Sequence, residues 1–364
     1  MKFYKSVTRY ISIIISILIC IMCFCSCEQK EPQSENEGES GKRKIQIGMT
    51  FDSFVIERWQ RDRDVFVSMA KELGAEVNVQ NANGDIEEQR RQIDYFIKKG
   101  VDVIVIICID SDGLADSVAD AKDAGIKVIA YDRLINNANV DLYISFDNYM
   151  VGTLMANALI EAGVKPDENG EKGVLMIGGD SQDANVPQIE QAFTQIMKDN
   201  EITIIDGTHA EGWKAELAAE YVYSHMEEVN RATGIMCGND NLASQVIRAL
   251  AEKRLAGAIY VVGQDADLEA CQRIVEGTQE MTVYKPVERL AKLAAECAVM
   301  LAKEGKVLGE DVLTIKDGTY EVPYVKLDPI SVTKNNIDEI IINSGFHLKE
   351  DVYLNVPEKM PKDN

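Results

Sequence analysis

From Ile45 onward the chain alternates short apolar runs with longer stretches whose apolar residues recur every three or four positions. The first kind predicts strands and the second helices. Ile45–Met49 reads as a strand, followed by a helix from Arg58 to Leu73 that stops at Gly74. Glu76–Val79 is the next strand. Asp85, with Glu88 three positions on, opens a helix whose apolar face holds Ile86, Ile93, Phe96 and Ile97 and which stops at Gly100. Val101–Ile107 is almost unbroken β-branched sequence, as in a parallel strand covered on both faces. A helix over Leu114–Ala124 and a strand over Lys127–Ala130 complete a first unit.

The rhythm restarts after Asn148. Helices are predicted over Val151–Ala162, through Phe193 and Ile196, and over Trp213–Met226, Leu242–Glu252 and Leu268–Val275. They alternate with strands at Gly173–Ile177, Thr203–Ile205, Gly234–Cys237 and Ile259–Val262. A long helix over Val287–Ala302, short strands around Tyr320–Leu327 and a closing segment near Ile337–Ile342 follow. The fold class is therefore α/β, with two doubly wound parallel-sheet lobes. The late strands carry the chain back to the first unit, so the lobes share a cleft.

Polar side chains gather just past the strands. Asp52, Arg58 and Trp59 follow the first, and Asp132 and Arg133 follow Ala130. In the second unit come Asp183 and Asn185, then Trp213, Asn239, Asp265 and Lys285. In open α/β sheets ligands bind at the carboxyl ends of strands. Any one of these residues can equally be a helix cap or a turn residue. Their recurrence at six strand ends points to a ligand. Trp59 and Trp213 are the chain's two tryptophans. Neither sits in a core-like apolar run, and an indole offers a flat apolar face to a sugar ring. Acids, amides and cations can then take its hydroxyls.

The ends and the composition narrow the setting. Lys2, Lys5 and Arg9 precede an apolar run from Tyr10 to Ser26, short for a membrane span. Ser26-Cys27 followed by Glu28 reads as a lipoprotein cleavage site, with Cys27 lipidated; an uncleaved anchor is the alternative. Residues 27–43 form a polar tether with no aliphatic side chain. The net charge of −22 argues against nucleic acid, whose phosphates need a basic surface. Cys108, Cys237, Cys271 and Cys297 have no redox or metal-ligand spacing and read as small buried residues. The three histidines form no cluster, so neither metal nor cofactor is expected. Nucleophile-elbow, P-loop and dinucleotide fingerprints are missing too, and no catalytic residue is assigned.

Longer blocks carry a resemblance. They include Glu57-Arg58-Trp59-Gln60-Arg61-Asp62-Arg63-Asp64, Gln80-Asn81-Ala82-Asn83-Gly84, Ala130-Tyr131-Asp132-Arg133 and Tyr143-Ile144-Ser145-Phe146-Asp147-Asn148. Gly263-Gln264-Asp265-Ala266-Asp267-Leu268 and Met281-Thr282-Val283-Tyr284-Lys285-Pro286 extend it. From about Lys44 to His347 the chain resembles the type I periplasmic sugar-binding family, in particular its D-xylose-binding branch. The resemblance implies that Arg58, Asp132 and Arg133 bind sugar oxygens from one lobe, and Asn239 and Asp265 from the other. It implies that Trp59 and Trp213 stack on the two ring faces, that Lys285 reaches the sugar near a hinge, and that Asp183 and Asn185 form a polar pair there. Pro187–Phe193 and part of Phe51–Ile56 depart from the family pattern and bear on selectivity.

The expected organisation is a lipoprotein signal peptide over 1–26, the tether, an N-terminal lobe of 44–146 plus 285–328, and a C-terminal lobe of 147–284 plus 329–357. A three-strand hinge joins the lobes. The resemblance implies a monomer on the outer face of the cytoplasmic membrane that captures D-xylose or a related monosaccharide. An ABC transporter permease is the implied partner; a membrane histidine kinase is the alternative. A repressor of the same fold is disfavoured by the export segment, and a sugar-modifying enzyme by the missing chemistry.

Overall fold

A computed structural model describes residues 43–307 and 312–362; the signal, the lipidation site at Cys27 and the tether lie outside them, apart from Arg43. The first sheet has seven strands: β1 (Ile45–Phe51), β2 (Ala75–Asn81), β3 (Val103–Ile106), β4 (Lys127–Tyr131), β5 (Leu142–Phe146), β11 (Leu313–Lys316) and β12 (Glu321–Leu327). Their order is β11-β12-β5-β4-β3-β1-β2. The second has six: β6 (Gly173–Gly178), β7 (Ile204–His209), β8 (Ala232–Cys237), β9 (Tyr260–Gln264), β10 (Met281–Tyr284) and β13 (Ile330–Thr333), ordered β13-β10-β9-β8-β6-β7. In each sheet the order of consecutive strands reverses next to the first, the pattern that opens a crevice at the strand ends.

Parallel pairing dominates because helices cover both faces. All four residues of β3 are buried, as its β-branched sequence predicts. Asp85 caps the helix that begins at Ile86, its carboxylate accepting from the Glu87 and Glu88 amides, and Gly100 ends that helix at φ 65°. Two edge pairs are antiparallel, β11 with β12 and β13 with β10, so the sheets are mixed at their margins.

The structure moves several predicted boundaries. Leu142–Phe146 and Met281–Tyr284, which the hydrophobic pattern assigns to no element, are the paired strands β5 and β10. The helix expected over Trp213–Met226 is broken: a 3-10 turn over Glu211–Trp213 precedes helices at Ala215–Ser224 and Met226–Arg231. The closing segment is a π-helical turn, Asp338–Ile342. The chain leaves the first sheet after β5, returns after β10 and leaves again after β12. Three passages therefore run between the sheets, near Asp147, Lys285 and Asp328.

Candidate functional site

Nine of the ten candidate residues line a single cavity between the sheets. They are Arg58, Trp59, Asp132, Arg133, Asp183, Asn185, Trp213, Asp265 and Lys285. Each follows the carboxyl end of a parallel strand: β1 for Arg58 and Trp59, β4 for Asp132 and Arg133, β6 for Asp183 and Asn185, β7 for Trp213, β9 for Asp265 and β10 for Lys285. Asn239 follows β8 and is buried, but it is not among the lining residues. Its side-chain oxygen accepts from the Leu242 amide as the cap of the helix Asp240–Glu252.

Both tryptophans belong to the hydrophobic core as well as to the cavity, contrary to the sequence expectation. Trp59 is 1% exposed and meets Phe51 edge-on. Its position at the start of a charged helix concealed this, because two of the charged residues there, Arg58 and Asp62, are themselves buried. The Arg58 guanidinium lies 4.5 Å from the Trp59 ring centre and that of Arg133 5.6 Å.

The arginines are held rigidly. Asp62, one helical turn on from Arg58, accepts from its Nε at 3.2 Å and its Nη2 at 3.0 Å, and the Tyr131 hydroxyl donates to the same carboxylate. This leaves Arg58 Nη1, 2.9 Å from Asp132 Oδ2 and 3.9 Å from Asp265 Oδ1. Arg133 donates through Nη1 to Asp52 at 2.8 Å and to the Cys108 carbonyl at 3.0 Å, while its Nε pairs with Asp183 at 2.6 Å. Lys285 Nζ lies 2.9 Å from Asp265 Oδ1. Asn185 donates to the carbonyl and the carboxylate of Asp132, both at 3.1 Å, and accepts from Asn148 at 2.8 Å.

Burial governs the protonation chemistry. Desolvation pushes the Asp52, Asp62 and Asp183 carboxyls up, against the pull of the paired arginines. Asp132 goes the other way: burial raises it, but Arg58, Lys285 and Arg133 together outweigh that and hold it below its ordinary value.

Three cations and three carboxylates line the cavity, so it offers no net charge to an ionic ligand. Among the described residues, Trp59 Nε1, Arg133 Nη2, Trp213 Nε1 and Gln264 Oε1 are buried with no hydrogen-bond partner in the protein. All four residues line this one cavity. A buried polar atom left unmatched costs about 1–3 kcal/mol, so such a cluster calls for a partner from outside the protein chain. Backbone strain collects here too: Asp132, Trp213 and Asp265 have φ of 65°, 55° and 100°. Non-glycine residues hold such conformations only where the surroundings over-determine them.

Sequence reasoning missed four lining residues, Ile56, Asn148, Ile189 and Gln264. Gln264 lay inside a quoted block directly before Asp265, and Asn148 ended another. Ile56 and Ile189 gave no signal, since an apolar residue in an apolar pattern reads as core.

A two-lobed α/β protein with a polar cavity at its strand ends, lined by two indoles, has the architecture of a periplasmic binding protein. The chain belongs to the periplasmic binding protein family: residues 47–306 match the periplasmic binding protein domain, of the type I sugar-binding kind. It is 40% identical over 316 residues to the D-xylose-binding periplasmic protein of Haemophilus influenzae, covering 85% of this chain and 93% of that protein. It is also 40% identical over 315 residues to the Escherichia coli D-xylose-binding periplasmic protein, with the same coverage. Among solved structures, a Clostridium phytofermentans ABC transporter solute-binding protein with bound β-D-glucose superposes with a TM-score of 0.75 at 26% identity, covering 84% of this chain and 99% of that one.

Proposed function

We propose that the protein captures D-xylose, or a closely related monosaccharide, by closure of its two lobes and delivers it to an ABC permease at the outer face of the membrane. The observation that carries this reading is the cluster of unmatched buried polar atoms in one cavity, two of them indole nitrogens, contributed by both sheets. The 40% identity to D-xylose-binding proteins supports the choice of sugar.

Binding proceeds without a covalent step. With the lobes apart, each half of the cavity faces water and binds the sugar weakly. Closure brings Trp59, Arg58, Asp132 and Arg133 from one lobe against Trp213, Asn185 and Asp265 from the other. The sugar gains both sets of contacts only in that state, so it shifts the population toward it. The three passages near Asp147, Lys285 and Asp328 serve as the hinge. Cys27 carries the lipid anchor, and the segment before Lys44 gives the body its reach from the membrane. No observation favours delivery to a sensor kinase.

Thermal-shift measurements with D-xylose, other pentoses and hexoses, on protein freed of endogenous ligand by unfolding and refolding, test the reading. A bound sugar raises the melting temperature by mass action. Calorimetry should then give micromolar affinity for D-xylose, about −8 kcal/mol. A melting temperature that no monosaccharide moves would remove the proposal.

A further inference from the structure

Gln264 ends β9 with 3% of its surface exposed, beside Asp265, and lines the cavity. Its amide is oriented by one contact. Nε2 donates to the Gly238 carbonyl at 2.5 Å, and a carbonyl only accepts, so the nitrogen must face Gly238. The carbonyl itself is fixed. The Gly238 amide donates to the Ile177 carbonyl at 2.8 Å, and a Cβ on Gly238 would stand 2.7 Å from the Gly179 nitrogen. The ends of β6 and β8 are thus packed too closely for Gly238 to move aside. With Nε2 committed, Oε1 is left buried, without a partner in the protein, at the cavity wall.

We propose that Gln264 is a sugar-binding residue that accepts a hydrogen bond from one ligand hydroxyl and, through its locked amide, requires that hydroxyl to be a donor. The inference rests on the monosaccharide reading above. The arginines, Lys285 and the two indole N–H groups can only donate to the sugar. Gln264 differs from the carboxylates as well, being a neutral acceptor whose orientation does not depend on closure. Gly238 and Gln264 lie on the same sheet, so this acceptor is preformed in the lobe that carries β6 to β10. A monosaccharide whose corresponding oxygen is methylated, or replaced by fluorine, offers no proton at that point and is discriminated against.

The test compares the full exported chain with Gln264→Met, which keeps the length of the side chain and removes the acceptor. Calorimetry is run with D-xylose, its 2-, 3- and 4-deoxyfluoro derivatives, and 1,5-anhydroxylitol, which lacks the anomeric hydroxyl. Gln264→Met should weaken D-xylose binding about tenfold, the range of a buried neutral hydrogen bond. For one of the four altered sugars, the loss seen with the wild type should shrink by a similar factor in the variant. A merely structural residue would weaken all five ligands alike. If Gln264→Met does not fold, Gln264→Asn, which keeps an amide but withdraws its oxygen, carries the same comparison. Unchanged D-xylose affinity in the variant, or an equal loss for every ligand, overturns the role of Gln264 and leaves sugar binding intact. A wild type that binds none of the panel overturns both.

Discussion

Arg133 and Asp183 belong to different sheets, yet Nε of one lies 2.6 Å from Oδ2 of the other, with both side chains at most 3% exposed. Arg133 follows β4 and Asp183 follows β6, so the pair bridges the cleft beside the cavity. Arg133 also neutralises Asp52 on its own side. One guanidinium therefore fixes two buried carboxylates and still presents Nη2, unmatched, to the cavity wall.

Replacing Arg133 by alanine should accordingly have two effects. Asp52 and Asp183 lose the group that opposes their desolvation, and breaking a buried pair in this way costs about 3–5 kcal/mol of stability. Sugar affinity should fall by at least ~2 kcal/mol, because a ligand oxygen loses a charged donor. Denaturant titration and calorimetry read the two separately; unchanged D-xylose affinity in a folded variant would place Arg133 outside the binding surface.

Gly179 should be as intolerant as a contact residue. A Cβ there would stand 2.1 Å from Trp213 Cη2 and 2.4 Å from Cζ2, so alanine displaces the indole. Overpacking of this kind costs typically about 1–3 kcal/mol. Gly179→Ala should therefore weaken sugar binding to a degree similar to Trp213→Ala, although residue 179 needs no contact with the ligand. Affinities of the two variants, measured side by side, check this.

Both tryptophans of the chain line the cavity. D-xylose should change the intrinsic emission of the wild type, and Trp213→Phe should retain only the Trp59 part of the change. A signal abolished outright by Trp213→Phe would mean that Trp59 does not sense the ligand.

Asp240 sets a pH dependence. Burial raises its carboxyl to about 7, with Thr282, Arg273 and Gln279 pulling it down and Asp265 pushing it up. The unfolded chain releases this proton at the ordinary aspartate value, so between about pH 4 and pH 7 the native state binds the extra proton. This contribution to stability is full below the unfolded value and is lost as pH rises through 7. Asp240→Asn cannot titrate, and its stability should fall less steeply than the wild type's between pH 5 and pH 8. Asp267, whose carboxyl is raised chiefly by burial and then by Asp240, leaves a residual slope of the same sign. Parallel denaturation curves at the two pH values decide the point.

Local pattern carries much of this protein. A β-branched run such as Val103–Ile106 can bury both faces only inside a parallel sheet, and Asp85 and Gly100 bound a helix through chemistry that acts within a few residues. For the same reason the strand-end positions of Arg58, Asp132, Asp183 and Asp265 could be read directly, since a ligand site in an α/β fold forms where strands end. What the linear order left open depends on partners distant in the chain. Leu142–Phe146 becomes a strand because β4 and β12 flank it, and Trp59 becomes a core residue because Phe51 and two buried arginines enclose it. Asn239 turns its oxygen to a helix end, while Gln264, unremarkable in sequence, faces the cavity because Gly238 claims its nitrogen. Residue type limits which hydrogen bonds a side chain can make; only the folded packing decides which of them are satisfied within the protein and which are left to the ligand.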